Sequence, residues 1–296
     1  MPAGTRRRST LFRYVATVRF AVAVLTRPGY EHSEIFREVA EGLHHALLAL
    51  GHDSALTDRF DLEDRRTIVL QPQFLAHYGL LPPENTILYN LEQVGDDSTW
   101  MKPLIPELFR RFPVWDYSTS NIERLAARQV CRPTHVQIGY VPELTRIASA
   151  HEDIDVLFYG SPNDRRRAVL DDLRARGLRV ESLFGVYGAS RDAWIARSKI
   201  VLNIHQWTAK VFEIVRVSYL LANRRAVVSE RGADPTEERD LEPGIAFADY
   251  DQLVDRCVEL VADEDARREL AERGYQTFSA RSQADILRRV LPTSID

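Results

Sequence analysis

His205, Lys210 and Glu213 fall in one short polar stretch, and their side chains suggest a shared chemistry. A lysine supplies a cation suited to a diphosphate. A glutamate accepts hydrogen bonds from sugar or ribose hydroxyls, and a histidine can take or give a proton. Around them the order of elements is clear. Ile200–Ile204 is a short apolar run rich in β-branched residues, which predicts a buried strand. Apolar residues at helical spacing follow from Phe212 to Leu221, and Ala226–Val228 predicts a second strand. Strand, polar loop, helix and strand make the repeat of an α/β sheet. Ligands bind such sheets at the carboxyl ends of the strands, where helix N-termini turn their N–H groups outward.

The elements needed to position these residues recur along the chain. Val18–Leu25 predicts a first strand, with Thr26–Tyr30 as the loop at its carboxyl end. Ser33 can cap the next helix, which runs to Leu50 and stops at Gly51. Further strands are expected at 67–70, 86–90, 114–118 and 135–140. Residues 145–153 are polar and aperiodic and read as a linker. A second series starts at Asp155–Gly160, with strands at 180–184, 200–204, 226–228 and 244–247 and helices over 164–176, 191–197, 250–259 and 265–274. Spacing of this kind predicts parallel sheets with helices on both faces. The expected division is a disordered tail at 1–13, a domain at 14–148, a second at 149–280, and a terminal helix at 281–296.

The stretch from His205 to Glu213 resembles the donor-binding region of GT-B-fold glycosyltransferases of the group 1, or family-4-like, type. Those enzymes carry Glu-x7-Glu; this chain has His-x7-Glu, with Glu213 at the second glutamate and His205 at the first. Leu50-Gly51-His52-Asp53, Phe247–Leu253 and Leu270–Gly274 also resemble that family, so the resemblance covers nearly the whole chain. It implies two Rossmann-like domains facing a central cleft, and transfer of a sugar from a nucleotide-diphosphate sugar to an acceptor, with retention and without a metal. No other cofactor is expected. Glu213 would bind the ribose and His205 would stand where the family contacts the donor sugar; a histidine satisfied at a strand end is the alternative. Gly160 matches the glycine of the family's diphosphate loop, Ser161 replaces its arginine, and Arg166, or Arg165 beside it, falls at its lysine. With Lys210 these would hold the diphosphate. Gly185 and Tyr187 would line the nucleobase. Arg27, Gly29, Tyr30 and Asn90 would line the acceptor side. His205, Glu92 and His32 are the candidate catalytic residues, the last two as bases if the enzyme inverts. For Arg216, an ion pair with Glu230 is expected.

Composition narrows the alternatives. The chain has 296 residues, 45% hydrophobic, with net charge −4, which suits two domains and gives no reason to expect nucleic acid or an anionic membrane as partner. Lysine occurs only at 102, 199 and 210, so arginine carries the positive charge, as in proteins of GC-rich, bacterial genomes. Cys131 and Cys257 form no CxxC or Cys/His cluster, and no Asp-x-Asp stands at the carboxyl end of an expected strand, so no metal site is expected. No apolar run reaches the roughly 20 residues of a membrane span. A cytoplasmic protein is the expectation. A dehydrogenase is disfavoured because no strand leads into Gly-x-Gly-x-x-Gly. A catalytically silent domain that binds nucleotide or protein is the competing reading.

Overall fold

Short apolar strands buried on both faces can only be satisfied between layers of helices, and the computed structural model, which describes residues 17–26 and 31–291, builds two such sandwiches. In the first, β1 (Arg19–Ala23), β2 (Asp53–Thr57), β3 (Arg66–Val69), β4 (Ile87–Asn90), β5 (Val114–Asp116) and β6 (Thr134–His135) form a parallel sheet in the order β2-β1-β3-β4-β5-β6. Helices α1 (Arg37–Ala49), α2 (Pro72–Tyr78), α3 (Leu104–Arg111) and α4 (Thr119–Ala127) cover it. In the second, β7 (Ile154–Tyr159), β8 (Val180–Leu183), β9 (Ser198–Asn203), β10 (Val227–Glu230) and β11 (Ala246–Ala248) take the order β11-β10-β9-β7-β8. Its helices are α5 (Asp164–Ala175), α6 (Gly188–Ala196), α7 (Ile214–Ala222), α8 (Leu253–Ala262) and α9 (Glu264–Ser279). Each sheet has a strand flanked by strands that leave in opposite directions, β1 in the first and β7 in the second. Such a switch point opens a crevice at the strand ends.

The chain crosses between the sandwiches twice. After β6 it runs through residues 141–153 into β7. After α9 it returns, and α10 (Gln283–Val290) packs on α1. Tyr140 N–H donates to the Arg281 carbonyl and Gln283 N–H to the Tyr140 carbonyl, which joins the two crossings side by side. That pairing explains one departure from expectation. The strand predicted over 135–140 is only two residues long, because the backbone of its second half bonds to the start of α10 instead of to β5.

Other boundaries also move. The stretch 31–36 is a 3-10 helix ahead of α1, and 250–252 is a 3-10 turn ahead of α8. Helix α7 starts at Ile214, not Phe212, because Lys210 takes a left-handed conformation (φ 44°) and Val211 N–H is drawn to Gln93 Oε1. Helices α2 and α3 were not expected from the sequence. The tail at 1–13 and the loop residues Arg27, Gly29 and Tyr30 lie outside the described residues. Cys131 and Cys257 are free thiols.

Two glycines far apart in sequence fix how α9 seats. A Cβ on Gly244 would lie 2.2 Å from Gly274 Cα, and one on Gly274 would lie 2.8 Å from the Gly244 carbonyl oxygen. Both partners are backbone, so neither can yield. We expect Gly244→Ala to destabilise the protein by about 1–3 kcal/mol, read from urea unfolding, and Gly177→Ala to act only through its left-handed backbone, since nothing lies near its Cβ position.

Candidate active site

The two switch points face each other across a cavity of about 430 Å³, within the range of small-molecule sites. Gly160, Ser161, Arg166, Gly185, Tyr187, Glu213 and Glu92 all line it. Of the other residues expected there, His205, Arg165, Lys210 and Asn90 do not. His32 belongs to a stretch whose side chains are not described.

Glu213 is the buried anion of the site. Its carboxylate is 11% exposed and has three protein partners: Gln93 Nε2 at 3.2 Å on one oxygen, Asn203 Nδ2 at 3.0 Å and His205 Nδ1 at 2.8 Å on the other. Burial alone would raise its pKa, but the charge of His205, its hydrogen bond, Arg216 and Asn203 together hold it at about 2. His205 is 1% exposed, and its pKa is raised because Glu213 outweighs the cost of burying the imidazolium. The histidine therefore lies behind the glutamate. Its backbone N–H is bound by Glu230 Oε2 at 3.1 Å, and its Nε2 has no partner among the described residues.

The cations divide into two groups. Arg165 stacks on Tyr250 at 3.9 Å and forks onto Glu230, and Lys210 Nζ lies 3.0 Å from the same carboxylate. Glu230 is 1% exposed and needs that neutralisation, so both cations turn to it and away from the cavity. This corrects the expected Arg216–Glu230 pair. Arg216 instead donates to Asn203 Oδ1 at 2.8 Å and lies against Gly160, where a Cβ would meet its Nη2 at 2.8 Å. Glycine at 160 is thus needed for the arginine as well as for its own φ of 148°.

Arg166 fills the crevice between β7 and β9. It is 2% exposed and makes four hydrogen bonds, two to the Ile204 carbonyl, one to the Ser161 carbonyl and one to Gln206 Oε1. All three acceptors are neutral. Burial, then the charge of Arg216, pull its pKa down to about 9. Arg166 and Arg216 are therefore adjacent cavity cations with no carboxylate in contact among the described residues. A third, Arg191, is neutralised by Glu38 at 2.7 Å and Asp192 at 2.8 Å.

On the opposite wall Glu92 follows β4. Asn90, fully buried, accepts from Glu92 N–H and donates to the Glu92 carbonyl, and Asn121 Nδ2 donates there too. These bonds fix the backbone and leave the carboxyl group in the cavity, where Gln73 Nε2 approaches at 3.5 Å. Burial raises its pKa to about 7. The next residue, Gln93, crosses to Glu213 and to Val211 N–H. Gln93, Gln73 and Arg191 were not singled out in the sequence, and Arg216 was singled out only as an ion-pair partner. For Gln93 and Gln73, the signal available was their place just after an expected strand.

Residues 143–286 match the family model described as glycosyl transferase-like. Among curated proteins, the chain is 28% identical over 187 residues to uncharacterized protein L140 of Acanthamoeba polyphaga mimivirus, covering 60% of each chain. It is 28% identical over 159 residues to uncharacterized protein L138 of the same virus, covering 50% of this chain and 17% of that one. The chain thus spans less than two thirds of either viral protein, and viral relatives give no support to a bacterial source. Among solved structures, it superposes on AviGT4, a glycosyltransferase involved in avilamycin A biosynthesis, with a TM-score of 0.54, 17% identity and coverage of 92% and 96%. Anabaena HepE in complex with UDP and glucose gives 0.60, 11% identity and coverage of 92% and 98%. Likeness at this identity speaks for the fold, which is GT-B. No helix among the described residues is long and apolar enough to cross a membrane.

The raised pKa of Glu92 has a consequence for stability. In the folded protein it holds its proton up to about pH 7, whereas an unfolded glutamate loses it near 4.5. Its contribution is complete below about pH 4.5 and is lost as pH rises to 7. Glu92→Gln removes that loss. We expect thermal melts to show the variant gaining on the wild type between pH 5 and pH 8, by at most about 3 kcal/mol.

Proposed function

We propose, for a chain whose residues 143–286 match the glycosyl transferase-like family model and whose fold is GT-B, that this cavity binds a nucleotide-diphosphate sugar and transfers its sugar to an acceptor. The observation that carries the reading is the pair Arg166 and Arg216. A buried cation, Arg166, and a half-buried one, Arg216, share the crevice at the ends of β7 and β9, facing Gly160 and Ser161, and their bonds in the protein go to neutral groups. A diphosphate placed there meets charge that is already desolvated and fixed.

The same charge serves the reaction. When the anomeric C–O bond breaks, the electron pair leaves with the nucleoside diphosphate, and the two guanidinium groups stabilise it. Two guanidinium groups beside the leaving diphosphate support a metal-independent transfer as part of this reading. Glu213 accepts a ribose hydroxyl: an ionised carboxylate offers about four acceptor sites, of which the protein uses three. Gly185 (φ 70°) and Tyr187 border the nucleobase at the start of α6. That HepE was solved with UDP and glucose supports a uridine nucleotide as the first donor to try.

The test is thermal stabilisation by UDP, GDP, dTDP and ADP. At about 100 times its dissociation constant a nucleotide adds about 2.7 kcal/mol to stability. We expect one of them to stabilise the wild type, Glu213→Ala and Arg216→Ala to abolish the shift, and Lys210→Ala to retain it, because Lys210 faces Glu230. Absence of any shift would favour the silent-domain reading.

A further inference from the structure

We propose that Glu92 is the catalytic base of this transfer, taking the proton of the acceptor hydroxyl, so that the enzyme inverts the anomeric configuration. The inference rests on the donor site at Arg166, Arg216 and Glu213. The family resemblance implies retention, which needs no base at the acceptor, and this cavity departs from the family pattern in two places at once. His205, at the position of the family's first glutamate, is buried behind Glu213 and gives the donor sugar no carboxylate. Across the cavity, a carboxyl group stands where the acceptor would enter.

Three observations place Glu92 in that role. Its backbone is fixed by Asn90 and Asn121, so the carboxyl group is positioned rather than loose. Among the described residues no cation pairs with it, which leaves its acceptor capacity available. Its neighbour in sequence, Gln93, touches Glu213 at 3.2 Å, which sets the base on the wall facing the donor. Beside it, Gln73 Oε1 is buried without a hydrogen-bond partner among the described residues. Two acceptors together, neither supplied with a strong donor by the protein, suit a molecule that brings hydroxyl groups. The expected acceptor is therefore an alcohol, and a carbohydrate before an amine.

The step balances without a co-reactant. The acceptor oxygen bonds to the anomeric carbon as its proton passes to the Glu92 carboxylate. The bond from that carbon to the diphosphate oxygen breaks, its electron pair leaving with the nucleoside diphosphate beside Arg166 and Arg216. Solvent then takes the proton from Glu92.

Water can stand in for the unidentified acceptor. The probes are UDP-glucose, GDP-mannose, dTDP-glucose and ADP-glucose, all α-linked, with proton NMR reading the first sugar anomer released before it equilibrates. We expect the β-anomer from the wild type. Glu92→Gln should slow release by about 10²–10⁴-fold, the usual range for loss of a positioned base, while keeping the nucleotide-induced thermal shift. Release of the α-anomer first, or turnover by Glu92→Gln at the wild-type rate, overturns the assignment. So does nucleotide binding by the wild type with no hydrolysis of any donor, although the donor site then stands. A wild type that neither binds a nucleotide nor hydrolyses a donor removes the donor site, and the base with it.

Discussion

A carboxylate taken out of water must be met by donors, and the donors around Glu213 come from three places. Asn203 ends β9, His205 follows it, and Gln93 arrives from the opposite sandwich. Closing the two sandwiches on each other is therefore the same event as completing the site. The other bonds across the cleft work alongside this one. Glu38 of α1 meets Arg191 of α6 in a buried ion pair, and Glu237 accepts from Ser118, Thr119 and Ser120 at the N-terminus of α4. Removing either partner of the first would leave a buried charge uncompensated, a larger penalty than the net worth of the pair.

Charge placement then decides what the cavity can hold. Glu230 is more deeply buried than Glu213 and takes two cations, Arg165 and Lys210, for its own neutralisation. Those two are the conspicuous basic residues of the segment, yet they are committed to a structural anion. Arg166 and Arg216 are held by carbonyl and amide oxygens, which orient a guanidinium without cancelling its charge. An exposed cation of this kind would be screened by water and salt, whereas at 2% exposure Arg166 keeps its field directed into the cavity.

The alternation of apolar strands and helical stretches made both parallel sheets legible in the sequence, and the glycines at 160 and 185 marked real constraints. Glu213 and Gly160 were legible too, because loops at strand ends are few and each has one or two groups able to bind. What the sequence could not convey was pairing. Nothing in its local pattern separates Arg165, which turns to Glu230, from Arg166, which turns to Ile204, since one helical step rotates neighbours by about 100° and sends them to different surroundings. Arg216 was assigned to Glu230 because both lie in one segment. The fold brings Arg165 closer through a contact between α5 and β10, 65 residues apart. Helices α2 and α3 were missed because they are short, of seven and eight residues, and each begins at or next to a proline.

The two walls of the cavity also carry opposite electrostatic demands, and that asymmetry fits one chemical direction. At β7 and β9 the protein has spare positive charge, suited to a group that becomes more negative as it leaves. At β3 and β4 it has spare acceptors, Gln73 Oε1 and the Glu92 carboxyl, suited to a group that gives up a proton. Had both sides been positive, the cavity would favour holding a nucleotide without activating anything beside it. Had the carboxyl faced an arginine, its affinity for a proton would fall well below neutral pH, and it could not take one from an alcohol. Burial without a cation is what keeps Glu92 basic, and neutral partners are what leave the positive charge of Arg166 and Arg216 uncancelled for a departing diphosphate.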